Sequence, residues 1–485
     1  MSSAAFCYAG AAVGTESGGW TGIGDSMKSP LLRLLALLFA FGLVAAACGD
    51  SDDDAADDAP AATAADDDMA DDDMADDDMA DDDMADDDMA DDDMADDDMA
   101  DDSDDDMAAI DRTGEVIKIG YVNNEGAAFA LPEFRTGGEV AIQFINDNGG
   151  INGAMIETEV CLSDGTPESA INCANRLIEA DVVFAYMGIE VASEAAINLW
   201  VEAGIPYISS HAWGLTEQNS PGSFLLHSPA GAYAVGPAKT FSDLGINHIA
   251  VIMEETPAGL AFIDAIGAPV LAHHGIEFER VVVDPAAPDW TAAVATAQAA
   301  GVEGIWGQLT EPGCIGMVGA AAASGYDKPV FAGSCSFYIP VLGAASIGTY
   351  TQSDVFFPST AEFASPEIQA QLAEYADLMT AAGYEDHIEG FAVAPYSSWR
   401  AIEIILETID GPITGESVLH AFRNAGETPG WFGPNHQCGQ EPWPASTSAC
   451  KSAIAVWQVA EKDDGTVGRV LVGDGFINAF EFSGF

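Results

Sequence analysis

The stretch VIKIGYVNNEGAAFALPEFRTGGEVAIQFINDNGGINGAMIETEVCL, residues 116–162, decides the fold. Val116 to Val122 is a short apolar run, the pattern of a strand buried on both faces. From Phe134 to Asn148 the residues Val140, Ala141, Phe144 and Ile145 recur at helical spacing. Ile156 to Leu162 then reads as a second strand. The alternation continues outward. Pro167 to Ala180 reads as a helix, and residues 182–188, 205–210, 246–253, 279–284, 304–309 and 330–333 read as further strands separated by Ala- and Gly-rich helical stretches. Strands joined through helices pair in parallel, because a parallel connection needs a crossover. The fold class is α/β. The region from Asp111 to Phe485 is too long for one simple core and suits two lobes.

Toward the amino terminus the composition changes abruptly. Residues 50–106 hold 32 Asp and no Lys or Arg, and Asp-Asp-Asp-Met-Ala occurs as seven tandem copies from Asp66 to Ala100. Such a segment cannot bury enough apolar surface to offset its ordering entropy, and its charges repel. Residues 49–110 are therefore expected to form a disordered tether, with a contour length of roughly 200 Å. The spacing lacks the Gly and closing Glu of a calcium loop, which favours a spacer over a cation site. Further upstream, Lys28 and Arg33 precede an apolar stretch from Leu34 to Ala47 that ends in small residues, so residues 27–48 read as a secretory signal. The apolar core is too short to cross a bilayer of ~30 Å. Residues 1–26 carry Glu16 and Asp25 but no basic residue, and read as an extension from a mis-called upstream start. Their glycine-rich run, Gly18 to Gly24, lacks the preceding strand that a phosphate loop needs.

From Asp111 onward the chain carries 46 acidic and 12 basic residues, a net charge of −34. That balance excludes nucleic acid as a partner, since neutralising phosphate demands Lys and Arg. High surface acidity also suits saline surroundings, where it aids solubility. No Gly-x-x-x-x-Gly-Lys-Ser/Thr, His-Glu-x-x-His or Gly-x-Ser-x-Gly pattern occurs, so the chain is not expected to be an enzyme. His436 and Cys438 lack the paired spacing of a zinc site, and neither a metal nor a cofactor is expected.

Two resemblances sharpen this reading. Ala45-Ala46-Ala47-Cys48 resembles the lipobox of bacterial lipoproteins, with Ala45 where that motif usually has Leu. The resemblance implies acylation of Cys48 and a lipid anchor on the outer face of the cytoplasmic membrane, or in the periplasm. Ordinary signal cleavage that leaves Cys48 free is the alternative. In the globular region, Gly149-Gly150-Ile151-Asn152-Gly153, Asp164-Gly165-Thr166-Pro167-Glu168-Ser169, Ala203-Gly204-Ile205-Pro206-Tyr207-Ile208-Ser209 and Glu389-Gly390-Phe391-Ala392-Val393-Ala394-Pro395-Tyr396 fall in the order and spacing of the type I periplasmic binding proteins. The chain is similar to their leucine/isoleucine/valine-binding branch, which serves ABC importers. The resemblance implies two doubly wound parallel-sheet lobes joined by a three-crossover hinge. Lobe 1 would take residues 115–231 plus 361–450, and lobe 2 residues 232–360 plus 451–485. It implies a monomer that captures a small polar solute (an amino acid, an amide or a related compound) by closing its lobes, and a membrane permease as partner. A ligand sensor reporting to a membrane receptor would use the same cleft.

Ligands of open parallel sheets bind beyond the carboxyl ends of the strands. The candidate ligand-binding residues are therefore Asn124, Phe129, Glu190, Ala192, Ser193, Ser210, His211, Ala212, Trp213, Tyr233, Glu255, Gln308, Thr310 and Ser334. Tyr233 stands where family members often touch ligand, and Ser193 could hold a ligand carboxylate. Trp213 replaces an expected Thr, and Cys335 lies near the place of the acidic residue that normally takes the ammonium group. The candidate loops contain no Lys or Arg, so an anionic solute lacks an obvious partner. Acidic and aromatic loop residues instead suit an ammonium-bearing or aromatic solute. Beyond Cys7 and Cys48, six cysteines permit about 15 pairings. Nearest neighbours, Cys161–Cys173, Cys314–Cys335 and Cys438–Cys450, are the simplest reading in an exported chain.

Overall fold

A computed structural model describes residues 110–126, 130–212 and 214–485. The signal, Cys48 and the Asp-rich tether expected upstream lie outside the described residues, as do Phe129 and Trp213.

β1 (Val116–Asn124) is buried along nearly its whole length, as a central strand must be. It pairs in parallel with β2 (Met155–Ser163) on one side and β3 (Ala185–Met187) on the other. β4 (Tyr207–Ser209) and β5 (Ser223–Leu225) complete a five-stranded sheet of order β2-β1-β3-β4-β5. The glycine cluster between helix α1 (Glu133–Asp147) and β2 has a steric cause. Gly150 sits at φ 69°, and a Cβ there would lie 2.0 Å from Ala154 O. Helix α2 (Pro167–Glu179) starts where Thr166 accepts the Ser169 N–H and Pro167 occupies the first turn.

The second sheet has seven strands in the order β14-β13-β10-β9-β8-β6-β7. They are β6 (His248–Glu254), β7 (Glu277–Val283), β8 (Gly304–Gln308), β9 (Val330–Phe331), β10 (Tyr350–Ser353), β13 (Ala453–Glu461) and β14 (Val467–Asn478), while β11 (Gly426–Thr428) and β12 (His436–Cys438) form a separate ribbon. This sheet departs from the all-parallel expectation: β13 runs antiparallel to both β10 and β14. The short turn between β13 and β14 can join only antiparallel neighbours. Apolar clusters cover both faces of each sheet, around Tyr121, Tyr186 and Trp399 and around Leu177 and Trp200 in the first, and around Val251 and Trp306 and around Ile305 and Met317 in the second.

The chain passes between the sheets three times. It leaves β5 for helix α3 (Ala230–Asp243), which packs on the second sheet. It returns after β10 toward helices α4 (Pro366–Ala381) and α5 (Val393–Glu407), which share the first sheet's core. The third passage runs beside β5, with Cys450 N–H donating to Leu225 O at 2.9 Å, before entering β13. Disulfides join Cys161 to Cys173, Cys314 to Cys335 and Cys438 to Cys450, as nearest-neighbour pairing predicts.

Candidate functional site

Parallel strands bring the loops at their carboxyl ends to one edge of each sheet. In the first sheet that edge carries Asn124, Glu190 to Ser193, and Ser210 to Ala212; in the second it carries Glu254 to Thr256, Gln308 to Glu311, and Ser334 to Phe337. The two edges meet at specific points. His211 Nε2 lies 3.1 Å from the Tyr233 hydroxyl at the start of α3. Ser336 Oγ donates to Glu389 O at 3.2 Å. Phe337 packs so closely on Gly390 that a Cβ there would approach its ring to 2.5 Å. An aromatic path spans the junction. Phe391 stacks on Phe134 at 5.2 Å, Phe134 meets His211 edge-on at 5.8 Å, and His211 tilts against Tyr233 at 5.8 Å.

The expected ligand residues separate into two groups. His211 and Tyr233 belong to the junction. Others are committed to the scaffold: Ser193 Oγ donates to Glu217 at 2.9 Å, and Glu217 also receives the Tyr207 hydroxyl. Ser210 Oγ sits between Tyr186 Oη at 2.7 Å and Ser398 Oγ at 3.2 Å. Asn124 is buried, and its main-chain oxygen takes the Leu131 N–H at 2.9 Å. Thr310 Oγ1 donates to Glu254 Oε1 at 2.7 Å, leaving Glu255 exposed beside it. Gln308, Ser334 and Ala192 are half-buried at the strand ends, and Ala212 is buried.

Two carboxylates near these loops are held under tension between burial and hydrogen bonding. Glu190 accepts the Ala192 N–H at 2.8 Å through Oε1, while its buried Oε2 has no hydrogen-bond partner. Burial pushes its pKa up against the nearby Ser163 and Ala192 donors. Glu311, at the start of the helix Glu311–Ser324, accepts the N–H groups of Ser336 at 2.7 Å and Phe337 at 3.0 Å. Burial pushes its carboxyl up to about 7, with those two N–H donors opposing.

Sequence reading missed a polar knot where the three chain passages converge. His227, from the first passage, places Nδ1 2.9 and 3.0 Å from the two oxygens of Asp354, from the second. Ser228 N–H donates to Asp354 at 2.9 Å, and Ser228 Oγ donates to Ala453 O, in the third passage, at 2.6 Å. Burial works against charge on Asp354, yet His227 and Lys451 outweigh it and hold the carboxyl well below its usual range. Burial depresses the pKa of Lys451, whose Nζ has no hydrogen-bond partner. The ring of His211 lies stacked on that of His227, 4.8 Å apart; burial first, then His227, lowers its pKa to about 3. Two surface depressions of about 420 and 550 Å³ both border Thr414, well away from these loops, and include none of the junction residues.

Comparison with known proteins agrees with this architecture. A family profile described as "Periplasmic binding protein" matches residues 116–443. An ABC transporter substrate-binding protein from Sphaerobacter thermophilus superposes with a TM-score of 0.62 at 21% identity, covering 76% of this chain and 100% of its own. A leucine-binding protein from Thermotoga maritima gives 0.61 at 14% identity, over 75% and 99%. A solute-binding protein of an ABC transporter from R. palustris, in complex with 4-hydroxybenzoate, gives 0.62 at 17% identity, over 75% and 97%. No curated protein sequence matches the chain.

Proposed function

The chain belongs to the periplasmic binding protein family, whose members hold solutes rather than transform them, and on that premise we propose that it is the extracytoplasmic solute-binding component of an ABC importer. In this reading Cys48 carries the lipid anchor and the Asp-rich segment spaces the binding region from the membrane. Residues 115–231 plus 361–450 and residues 232–360 plus 451–485 act as two bodies that close on a small solute. The solute is an amino acid, an amide or a related compound with an aromatic or ammonium-bearing portion, and the closed form is what a membrane permease recognises.

The aromatic path Phe391–Phe134–His211–Tyr233 carries this reading. It runs from the first sheet's layers to Tyr233 of α3, which packs on the second sheet, so a flat solute placed against it would touch both bodies and favour their closed arrangement. The R. palustris protein holds an aromatic solute on the same fold. Glu190, with a buried unpartnered oxygen, supports an ammonium group as an additional feature of the solute.

A thermal-shift screen of the full chain against amino acids, amides, polyamines, urea and aromatic acids tests the proposal. A ligand at about 100 times its dissociation constant adds roughly 2.7 kcal/mol of stability. The expected result is a shift confined to one chemical class and weakened by Tyr233→Ala. Absence of any shift across the panel, or a shift that Tyr233→Ala leaves intact, overturns this site.

A further inference from the structure

The imidazole of His227 is held in a way that calls for a cation. Ser397 Oγ, 3.2 Å from His227 Nε2, gives its own hydrogen to Ala394 O at 2.9 Å, and Ala394 O, 3.1 Å from Nε2, can only accept, so Nε2 carries a hydrogen. Nδ1 on the opposite side of the ring then faces two carboxylate oxygens of Asp354. A ring lone pair aimed at a carboxylate is repulsive unless a proton or a metal ion lies between them. A proton would satisfy His227 alone. It leaves unexplained His211, whose Nδ1 is buried without a hydrogen-bond partner while Nε2 lies against the Tyr233 hydroxyl. One ring nitrogen from each histidine and one Asp354 oxygen lie within 4.8 Å of one another.

We propose that His211, His227 and Asp354 form a binding site for a divalent transition-metal ion of the zinc class, at the junction of the two sheets. Two imidazoles and a carboxylate are the donors such ions prefer, whereas calcium and magnesium prefer all-oxygen sets. Metal-binding histidines usually donate their other N–H to a carbonyl, carboxylate or water, which fixes the tautomer; Ala394 O does this for His227. A zinc ion bonds at about 2.0–2.2 Å, so the His211 ring must swing inward to share it. His211 is the half-buried member of the three, on the solute side of the knot. An ion there would supply the positive charge that the solute loops lack, since none of them contains Lys or Arg. Lys451 already offsets the Asp354 charge. The ion's remaining charge would therefore favour a carboxylate-bearing solute beside it.

Zinc itself is the probe. The full chain, stripped with a chelator, is titrated with Zn²⁺ in competition with a chelator of known affinity, and with Co²⁺ while its visible spectrum is recorded. The expected result is one tight equivalent of Zn²⁺ and the intense Co²⁺ bands of a four- or five-coordinate nitrogen-containing site. His211→Asn should weaken that equivalent at least 30-fold with an unchanged circular dichroism spectrum. His211 lies outside the three chain passages, and the circular dichroism spectrum separates loss of the ion from loss of the fold. Equal affinity in His211→Asn and wild type overturns the proposal. So does weak binding of many equivalents with six-coordinate Co²⁺ bands, the signature of the Asp repeats. The titrations contain no solute, so their failure leaves solute capture untouched.

Discussion

Asp354 ties the three passages between the sheets to one carboxylate: it receives Ser228 N–H, faces His227, and lies in the field of Lys451. Asp354→Asn keeps the shape but removes the charge that compensates the cationic groups around it. Breaking a buried charge set in this way typically costs about 3 kcal/mol or more. Urea unfolding of the variant should show a loss of that order, and a change below about 0.5 kcal/mol would mean the knot is dispensable. Glu311 makes a prediction of opposite character. Its folded pKa is raised from 4.5 to about 7, so the fold prefers its protonated form. The stability it contributes is complete below about pH 4.5 and is lost as pH rises through 7, by at most about 3 kcal/mol. Glu311→Gln should flatten the fall in melting temperature between pH 5 and pH 8. A variant that falls as steeply as wild type assigns that dependence to other groups.

At the scale of elements, α1 and α5 pack with their backbones in close approach. Gly137 of α1 lies so near the Ala392 carbonyl, at the start of α5, that a Cβ would come within 2.1 Å of the oxygen. Helix propensity alone makes Gly137→Ala stabilising by roughly 1 kcal/mol. Overpacking against a backbone atom that cannot rotate away typically costs about 1–3 kcal/mol, and here packing wins. The variant should melt below wild type; a higher melting temperature would mean that α1 and α5 can separate freely. The same contact explains why the Thr136-Gly137-Gly138 run, unpromising for a helix, is helical in this setting.

The whole molecule is dominated by charge. A formal net charge of −66, of which −34 falls from Asp111 onward, repels itself in every compact state. Ions screen that repulsion within about 10 Å at 0.1 M salt. Melting temperature should therefore rise steadily from 10 mM to 1 M NaCl, and a flat or falling profile would mean that buried pairs such as His227–Asp354, rather than surface repulsion, set the response.

The sequence alone determined the α/β class, the main run of strands and the absence of enzyme motifs, and made nearest-neighbour disulfides the simplest pairing, because each is local. Apolar runs report burial over five to nine residues, and the paired cysteines stand only 12, 21 and 12 residues apart. It overlooked β5 and β10, strands of only three and four residues, and named no strand over β13 and β14; β10, Tyr-Thr-Gln-Ser, has no apolar run, and pairing with β13, distant in sequence, makes it a strand. It placed His211 and Tyr233 among the ligand residues but could not tell them from Ser193 or Ser210, since loop position does not say which way a side chain is hydrogen-bonded. Only the tertiary structure decided the knot of His227, Asp354 and Lys451. His227 and Asp354 are 127 residues apart, and no periodicity or spacing links them. They meet because three passages of the chain must cross between two sheets at one place, where any buried charge must find its partner from another passage.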